Sequence, residues 1–488
     1  MFDRFLACDL GAESGRLMLG TLSGKLIELE EIHRFPNVPL ERDGSLLWNI
    51  ESIFDEIKIG MAMVSSLGEE IVGISVDSWG VDYVLLDADG KLISPAFHYR
   101  DSRNKASSKA VLKRLEWKEI YEETGLQFIN FNTLFQLAAE TPERLTRASK
   151  VLPLADGFNH LLSGVPKAEA SLASTTQLYD PRKRAWSSRL AELAGLRVDQ
   201  LPDIVSSGTP LGPLRREIAE KTGFGNATVV AGLSHDTAAA VAATPVEGEG
   251  WAFLSSGTWS LIGMELDEPL INEQTREMNF TNEIGYGHSV RFLKNVIGLW
   301  LLQECRRRWA EKGDDLGYDE LCHLAGLSEP FACLIDPDDK RFFHPDDMPA
   351  GIAGFCRETG QTEPADPGAY ARCCFESLAL VYRRRVDELR ELTGRAVDRV
   401  HVLGGGSRND LLNQFTANAL AIPVAAGPAE ATALGNVAAQ AIALSRLPDL
   451  ATARGIIAAS FPPRIFLPEQ KETWAAANDR FTQLCRTS

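Results

Sequence analysis

The first apolar run, Phe5-Leu-Ala-Cys, stops at the charged Asp9, and after a turn bearing Gly11 and Gly15 the pattern resumes with Leu17-Met-Leu. Two short apolar segments around such a turn predict a β-hairpin. A strand with charged edges is predicted at 25–34. Over 47–67, Trp48, Ile50, Ile53, Phe54, Ile57 and Met61 recur at helical spacing and predict an amphipathic helix. The β-branched stretch 71–77 reads as a buried strand ending on Asp77, and 84–86 as a further strand that the turn Asp87-Ala-Asp-Gly90 closes into a hairpin. Residues 228–232 form a short buried strand that delivers Ser234-His-Asp-Thr237. The small, apolar stretch 238–243 then suits a helix packed closely on a sheet. Further on, 366–392 predicts a long helix with an Arg/Glu-rich exposed face, 400–403 a strand, and 431–443 a helix of small residues. After residue 451 the tail reads as irregular until a last helix from about Glu469. Alternating strands and helices place the chain in the α/β class.

The plan of the first hairpin returns at Phe253-Leu-Ser-Ser-Gly-Thr-Trp-Ser-Leu-Ile-Gly263. Two such hairpins, one opening each half, predict two similar domains, residues 1–245 and 246–488. The stretch 244–250, made of turn formers and charge without periodicity, is the linker. A length of 488 residues accommodates both cores. The net charge of −17 disfavours general binding to nucleic acid or anionic membranes, so an anionic ligand must be held by local groups. No apolar run is long enough to span a bilayer, and the N-terminus does not read as a secretory signal. The eight cysteines are scattered without Cys-x-x-Cys spacing or a His partner, as expected of free thiols in a cytoplasmic protein. Cys356 and Cys373 flank a Pro/Gly-rich loop and can approach each other.

Four loops carry candidate chemistry. In Asp9–Arg16 a carboxylate ends a strand beside glycine-bearing backbone, an arrangement that suits a Mg-nucleotide as well as an ordinary tight hairpin. Ser255–Thr258 repeats it. Residues 404–410, Gly-Gly-Gly-Ser-Arg-Asn-Asp, lie at a strand-to-helix junction where backbone approach is unobstructed. His235-Asp-Thr237 also lies at a strand-to-helix junction. Asp236 there is either a helix cap or a general base for a hydroxyl, with His235 and Thr237 positioning the substrate. The Walker pattern Gly-x-x-x-x-Gly-Lys-Ser/Thr and the protein-kinase signatures are absent from the sequence.

Taken in order, these loops resemble the FGGY carbohydrate kinases of the actin/hexokinase-like ATPases. The matching segments include Glu31-Ile-His-Arg-Phe-x-Asn37, Asp77-Ser-Trp-Gly-Val-Asp82, Tyr99-Arg-Asp-Ser-Arg103, Gln127-Phe-x-x-Phe-Asn-Thr-Leu134 and Thr175-Thr-Gln177. Beyond them come Ser234-His-Asp-Thr237, Leu254-Ser-Ser-Gly-Thr-Trp-Ser-Leu261, Lys294-Asn-x-x-Gly-Leu-Trp-Leu-Leu-Gln303, Gly404-Gly-Gly and Leu412-Asn-Gln414. The resemblance implies two ribonuclease H-like domains flanking a cleft, and transfer of phosphate from ATP, with Mg²⁺, to a small-molecule ketose. It points to L-rhamnulose, with fuculose or xylulose, or a silent sugar-binding regulator, as alternatives. It implies that Ala12, Glu13, Ser14, Gly15 and Arg16 lie against the ATP phosphates, and that Thr258, Gln303 and Gly405 also touch nucleotide. Gly80, His235, Asp236, Thr237 and Asn295 would touch the sugar, Asp236 would accept the proton, and Asp9 would hold the metal. Glu13 departs from the family's small hydroxyl residue and Ser78 from its Thr.

Overall fold

The computed structural model describes residues 2–68 and 70–487. The chain divides into two compact units. The first comprises Met1–Val246, Glu265–Phe292 and Ala431–Phe461; the second comprises Glu247–Met264, Leu293–Glu430 and Pro462–Ser488.

In the first unit a six-stranded sheet runs in the order Thr209–Pro213, Thr228–Ala231, Gly73–Ser78, Phe2–Leu10, Ser14–Ser23, Leu26–Pro36. The predicted hairpin is formed by Phe2–Leu10 and Ser14–Ser23, which pair antiparallel from Phe2 and Ser23 to Leu10 and Gly15. Gly73–Ser78 lies parallel to Phe2–Leu10, and Thr228–Ala231 parallel to Gly73–Ser78. Side chains alternate across the sheet. Leu6, Cys8 and Leu10 join the core formed with helices Ile50–Ser66 and Leu154–Ser163. The opposite face receives helix Ala431–Ala443: a Cβ at Gly20 would lie 2.6 Å from Val437, and Gln440 Nε2 donates to the Leu6 carbonyl at 3.1 Å.

Local chemistry explains where several elements begin. Helix Ile50–Ser66 starts later than the apolar spacing predicts because Asn49 caps it, its side chain accepting from the Ser52 N–H. Trp48 belongs instead to the strand Ser45–Trp48. After strand Tyr83–Leu86 the predicted turn does fold the chain back, with Leu86 bridged to Leu92 and Ile93 N–H donating to the Leu85 carbonyl at 2.8 Å, but the longer ladder is with the distant Lys150–Pro153. The tail is more regular than its pattern predicts, with helix Leu450–Ser460 capped by Asp449.

In the second unit, strand Trp251–Ser256 pairs antiparallel with Trp259–Leu266 and parallel with Arg399–Leu403. Arg399–Leu403 runs parallel to Val424–Ala426, which pairs antiparallel with Arg464–Phe466. Helix Pro367–Thr393, capped by Asp366, carries the buried Phe375, Leu378 and Tyr382 of this core.

Candidate active site

Adjacent parallel strands of the first unit deliver carboxylates to one end of the sheet, the end at which open α/β sheets bind ligands. Asp9 and Asp77 are register partners, one residue before the ends of their strands. The third strand, Thr228–Ala231, runs on to Ser234, whose carbonyl accepts from the Ser78 N–H at 2.9 Å. Asp236 follows as the first residue of helix Asp236–Ala242. Asp77 is fully buried; burial, and then the Asp9 charge, push its carboxyl well above the usual range. Asn436 Nδ2 donates to its Oδ2 at 2.6 Å, while Oδ1 has no hydrogen-bond partner among the described residues. Burial and Asp9 likewise raise Asp236 to about 7. Arg16, opposite Asp9 in the hairpin register, forms an ion pair with it.

The hairpin turn is held from outside. Gly11 N–H donates to the Ser14 carbonyl at 2.9 Å, Asn37 Nδ2 donates to the Gly11 carbonyl at 3.1 Å, and Asn37 N–H donates to the Glu13 carbonyl at 2.9 Å. Ala12 and Glu13 form the tip, with the Glu13 side chain exposed. Gly15 has a packing reason as well: a Cβ there would lie 2.2 Å from the Phe35 ring.

At the His-Asp junction, Asp236 Oδ1 accepts from the Thr237 backbone N–H and, at 3.0 Å, from Thr237 Oγ1. His235 Nε2 stands 3.3 Å from the same oxygen. The backbone beneath is fixed by a buried network. Ser234 N–H donates to Glu169 at 3.0 Å, Ser234 Oγ donates to Asp156 at 2.8 Å, and His235 N–H donates to Ser171 Oγ at 3.2 Å. Behind the imidazole lies Arg291, also buried, with Nη2 2.9 Å from His235 Nδ1. Helix Asp236–Ala242 packs against helix Ala431–Ala443 so closely that a Cβ on Gly435 would lie 1.8 Å from the Ala239 carbonyl oxygen. Small residues at 238–243 thus serve a helix–helix contact.

Gly80 lies against Thr175, to whose side chain a Cβ would approach within 3.1 Å. Its neighbour Val81 is held at φ 70°, a strained value for a β-branched residue, by Thr175 on its N–H and by Thr133 and Gln136 on its carbonyl. Asp82 then turns inward to accept from the Trp48 indole at 2.6 Å and the Trp79 indole at 2.8 Å, and burial raises it to about 6. Trp48 stacks on His98, their ring centres 4.0 Å apart.

The second unit assembles a different set. The turn Gly257–Trp259 receives the start of helix Trp300–Ala310: Gly298 N–H and Trp300 N–H both donate to the Thr258 carbonyl at 3.1 Å. Gln303 projects from the first turn of that helix. On the other side, Gly404 adopts φ 75° and a 3₁₀ turn, Gly405–Arg408, precedes helix Asp410–Leu420. The glycine run therefore does not open the α-helix directly, because Asn409 takes the cap. A Cβ at Gly406 would lie 2.2 Å from Ser256 Oγ, whereas one at Gly405 would meet nothing within 4 Å. Thr258, Gln303 and Gly405 thus come from three elements gathered around one turn. Asn295 lies in strand Val290–Ile297, half-buried.

Asp9, Ala12–Arg16, Gly80, His235, Asp236 and Thr237 fall in the first unit; Thr258, Asn295, Gln303 and Gly405 fall in the second. Asp77, Arg291, Glu283 and Asn436 join the first set without having been singled out for it from the sequence. Asp77 had a signal, as a carboxylate ending a buried strand like Asp9. The others lie far along the chain with no local pattern. Cys356 and Cys373 are buried free thiols.

Residues 4–243 match the model of the N-terminal domain of the FGGY family of carbohydrate kinases, and residues 252–444 match that of the C-terminal domain. The chain is 43% identical over 491 residues to a rhamnulokinase of Bacteroides thetaiotaomicron, covering 100% of both. It is 41% identical to one of Enterococcus faecalis, covering 95% of this chain and 94% of the relative. A rhamnulokinase of Bacillus subtilis is 38% identical, with 95% of each covered. Among solved structures, a gluconate kinase of Lactobacillus acidophilus superposes with a TM-score of 0.82 at 15% identity, over 100% of this chain and 98% of that one. A glycerol kinase of Plasmodium falciparum with ADP gives 0.79 at 15% identity, over 99% and 98%. At those identities the likeness is one of fold.

Proposed function

Because the chain belongs to the FGGY family of carbohydrate kinases, we propose that it transfers the γ-phosphoryl group of ATP to the 1-hydroxyl of L-rhamnulose, giving L-rhamnulose 1-phosphate and ADP. The observation that carries the choice of sugar is identity of 38–43% to rhamnulokinases over 95–100% of the chain. Asp236 is the proton acceptor. Its hydrogen bonds among the described residues fall on Oδ1, which leaves Oδ2 to accept from the sugar hydroxyl. A pKa near 7 suits a general base at neutral pH, since the carboxylate is ionised yet still binds a proton. As the oxygen attacks phosphorus, its O–H bond breaks and the proton passes to Asp236, while the γ-phosphorus bond to the ADP oxygen breaks.

His235, Thr237, Gly80 and Asn295 orient the sugar in this reading. The strained Val81 and the indole-held Asp82 keep the Gly80 backbone in place. The turn Ala12–Arg16 lies along the ATP phosphates, presenting its backbone, because the Glu13 carboxylate is repelled by them. Thr258, Gln303 and Gly405 contact the nucleotide, the last through backbone that a side chain would cover. Residues 1–245 and 246–488 are taken as the two functional halves, with 265–292 and 431–461 of the later half lending their residues to the first unit.

Among the described residues no three carboxylate, thiol or imidazole groups gather as a metal-holding set; what supports a cation here is Asp77 Oδ1, buried without a hydrogen-bond partner among those residues, beside its register partner Asp9. Asp9 would hold Mg²⁺, which, when bound, offsets the charge of the phosphates. A cytoplasmic place in L-rhamnose breakdown accords with the eight free thiols.

ADP release by the purified protein, measured with L-rhamnulose, fuculose and xylulose, tests the reading. kcat/KM should favour L-rhamnulose by about 100-fold, the order expected when the wrong sugar leaves one buried polar group unpaired at about 1–3 kcal/mol. Equal rates on all three would overturn the choice of sugar, and no ADP with any ketose would overturn the kinase.

A further inference from the structure

Arg291 is fully buried on a strand, and nothing in the activity so far requires it. Its Nε and Nη2 each donate to the Ile284 carbonyl at 3.2 Å. Nη2 also lies 3.2 Å from Glu283 Oε2 and 2.9 Å from His235 Nδ1. Glu283 Oε2 is itself 3.5 Å from His235 Nδ1. The imidazole nitrogen therefore sits between a cation and an anion that ask opposite things of it.

A guanidinium has only donors and stays protonated in proteins. At 2.9 Å it compels Nδ1 to act as acceptor, which puts the single ring proton of neutral His235 on Nε2. That nitrogen is the one facing Asp236, 3.3 Å from Oδ1. Without the guanidinium, Glu283 would draw a proton onto Nδ1, giving either the other tautomer or an imidazolium. Burial and the Arg291 charge both hold His235 well below its ordinary pKa. Burial lowers the pKa of Arg291 itself, and the charges of Glu283 and then Asp236, Glu169 and Glu265 oppose that shift.

We propose that Arg291 is a positioning residue that fixes His235 as a neutral Nε2–H donor beside the proton-accepting carboxylate, with Glu283 holding Arg291 in place. The donor then serves an oxygen of the sugar or Oδ1 of Asp236, and Oδ2 stays directed to the reacting hydroxyl. The link to catalysis rests on the reading that Asp236 accepts the sugar proton; the tautomer itself does not.

Nitrogen-15 NMR of the full-length, histidine-labelled protein reads the tautomer directly, with His235→Gln used only to assign the signal. His235 should be neutral and Nε2–H from pH 6 to pH 8 in the wild type. In Arg291→Met the proton should appear on Nδ1, and kcat should fall at least about tenfold, with the KM for ATP within twofold. Arg291→Lys should retain Nε2–H and recover much of kcat. Because Arg291→Met leaves Glu283 unpaired and can prevent folding, Arg291→Met/Glu283→Gln supplies a version without either buried charge. It should fold, show both tautomers, and remain slow. An Nδ1–H wild type, or Nε2–H retained with unchanged kcat in the double variant, would overturn the proposal. Failure of the wild type to phosphorylate any sugar would sink the kinase reading, while the NMR result would still decide the tautomer.

Discussion

The two units carry hairpin turns of similar plan and opposite electrical character. Around the turn at Gly11–Ser14 stand the Asp9–Arg16 ion pair and the Asp77 and Asp236 carboxyls, both of which burial and the Asp9 charge push up. Around the turn at Gly257–Trp259 stand carbonyls, amides and glycines: Gly298 N–H and Trp300 N–H on the Thr258 carbonyl, and Gly406 against Ser256. One region changes with protonation; the other is set by the shape of its backbone. A phosphoryl-transfer enzyme needs both, since the moving proton requires a base of tuned affinity and the nucleotide requires a fixed surface.

The difference breaks most visibly at Asp236. Asp236→Asn should lower kcat by about 10²- to 10⁴-fold while leaving ATP affinity within twofold, by kinetics and calorimetry. Turnover within a few-fold of wild type would reduce Asp236 to a structural residue. The same variant should melt at a higher temperature than wild type at pH 8 but not at pH 4. An acid whose folded pKa is raised binds its proton more tightly when folded, so its contribution to stability falls as pH rises from the ordinary 3.8 towards about 7. Asparagine has no such loss.

Next in size is the acid limb of the rate profile. In the first unit's chemistry, kcat/KM should fall about tenfold for each pH unit below about 7, because protonated Asp236 cannot accept the sugar proton. ATP binding at the second unit's glycines should vary little over the same range. A flat rate profile between pH 5 and pH 8 would remove Asp236 as the base.

In the second unit the sharper test compares adjacent glycines. Gly405→Val meets open space, so it should leave the melting temperature unchanged and weaken ATP about tenfold, or about 1.4 kcal/mol. Gly406→Val collides with Ser256 and should cost about 1–3 kcal/mol of stability. Unchanged ATP affinity in a folded Gly405→Val protein would take that loop out of the site. Asn436→Leu, which leaves the second oxygen of Asp77 without its donor, should cost a similar amount, about 1–3 kcal/mol, in denaturant unfolding.

What the sequence disclosed follows the range of its signals. Local patterns revealed both hairpins, the 431–443 helix to its observed ends and the junction at Asp236, because apolar periodicity and turn residues act over a few positions. Asp77 was visible as a strand-ending carboxylate, but its place beside Asp9 is a matter of strand register, which no single strand encodes. Arg291 reads in the sequence as an ordinary charged residue; only the fold turns it inward between Glu283 and His235. Strand Tyr83–Leu86 found a remote partner for the same reason. Helix Leu450–Ser460 escaped notice because Ala, Gly455 and Thr452 blur its apolar stripe, and its buried side rests on Ala453, Ile456 and Ile457.

The contact of Gly435 with Ala239 also bears on how the protein is made. The helix that begins with Asp236, and the sheet face bearing Phe5 and Ala7, are covered by a segment synthesised near the end of the chain. At about 5–20 residues per second, helix Ala431–Ala443 emerges roughly 10–40 s after residue 246. During that interval the nascent first unit presents an unclad apolar surface. Asp77 thus gains its Asn436 donor, and helix Asp236–Ala242 its contact with Gly435, only when nearly the whole polypeptide is present.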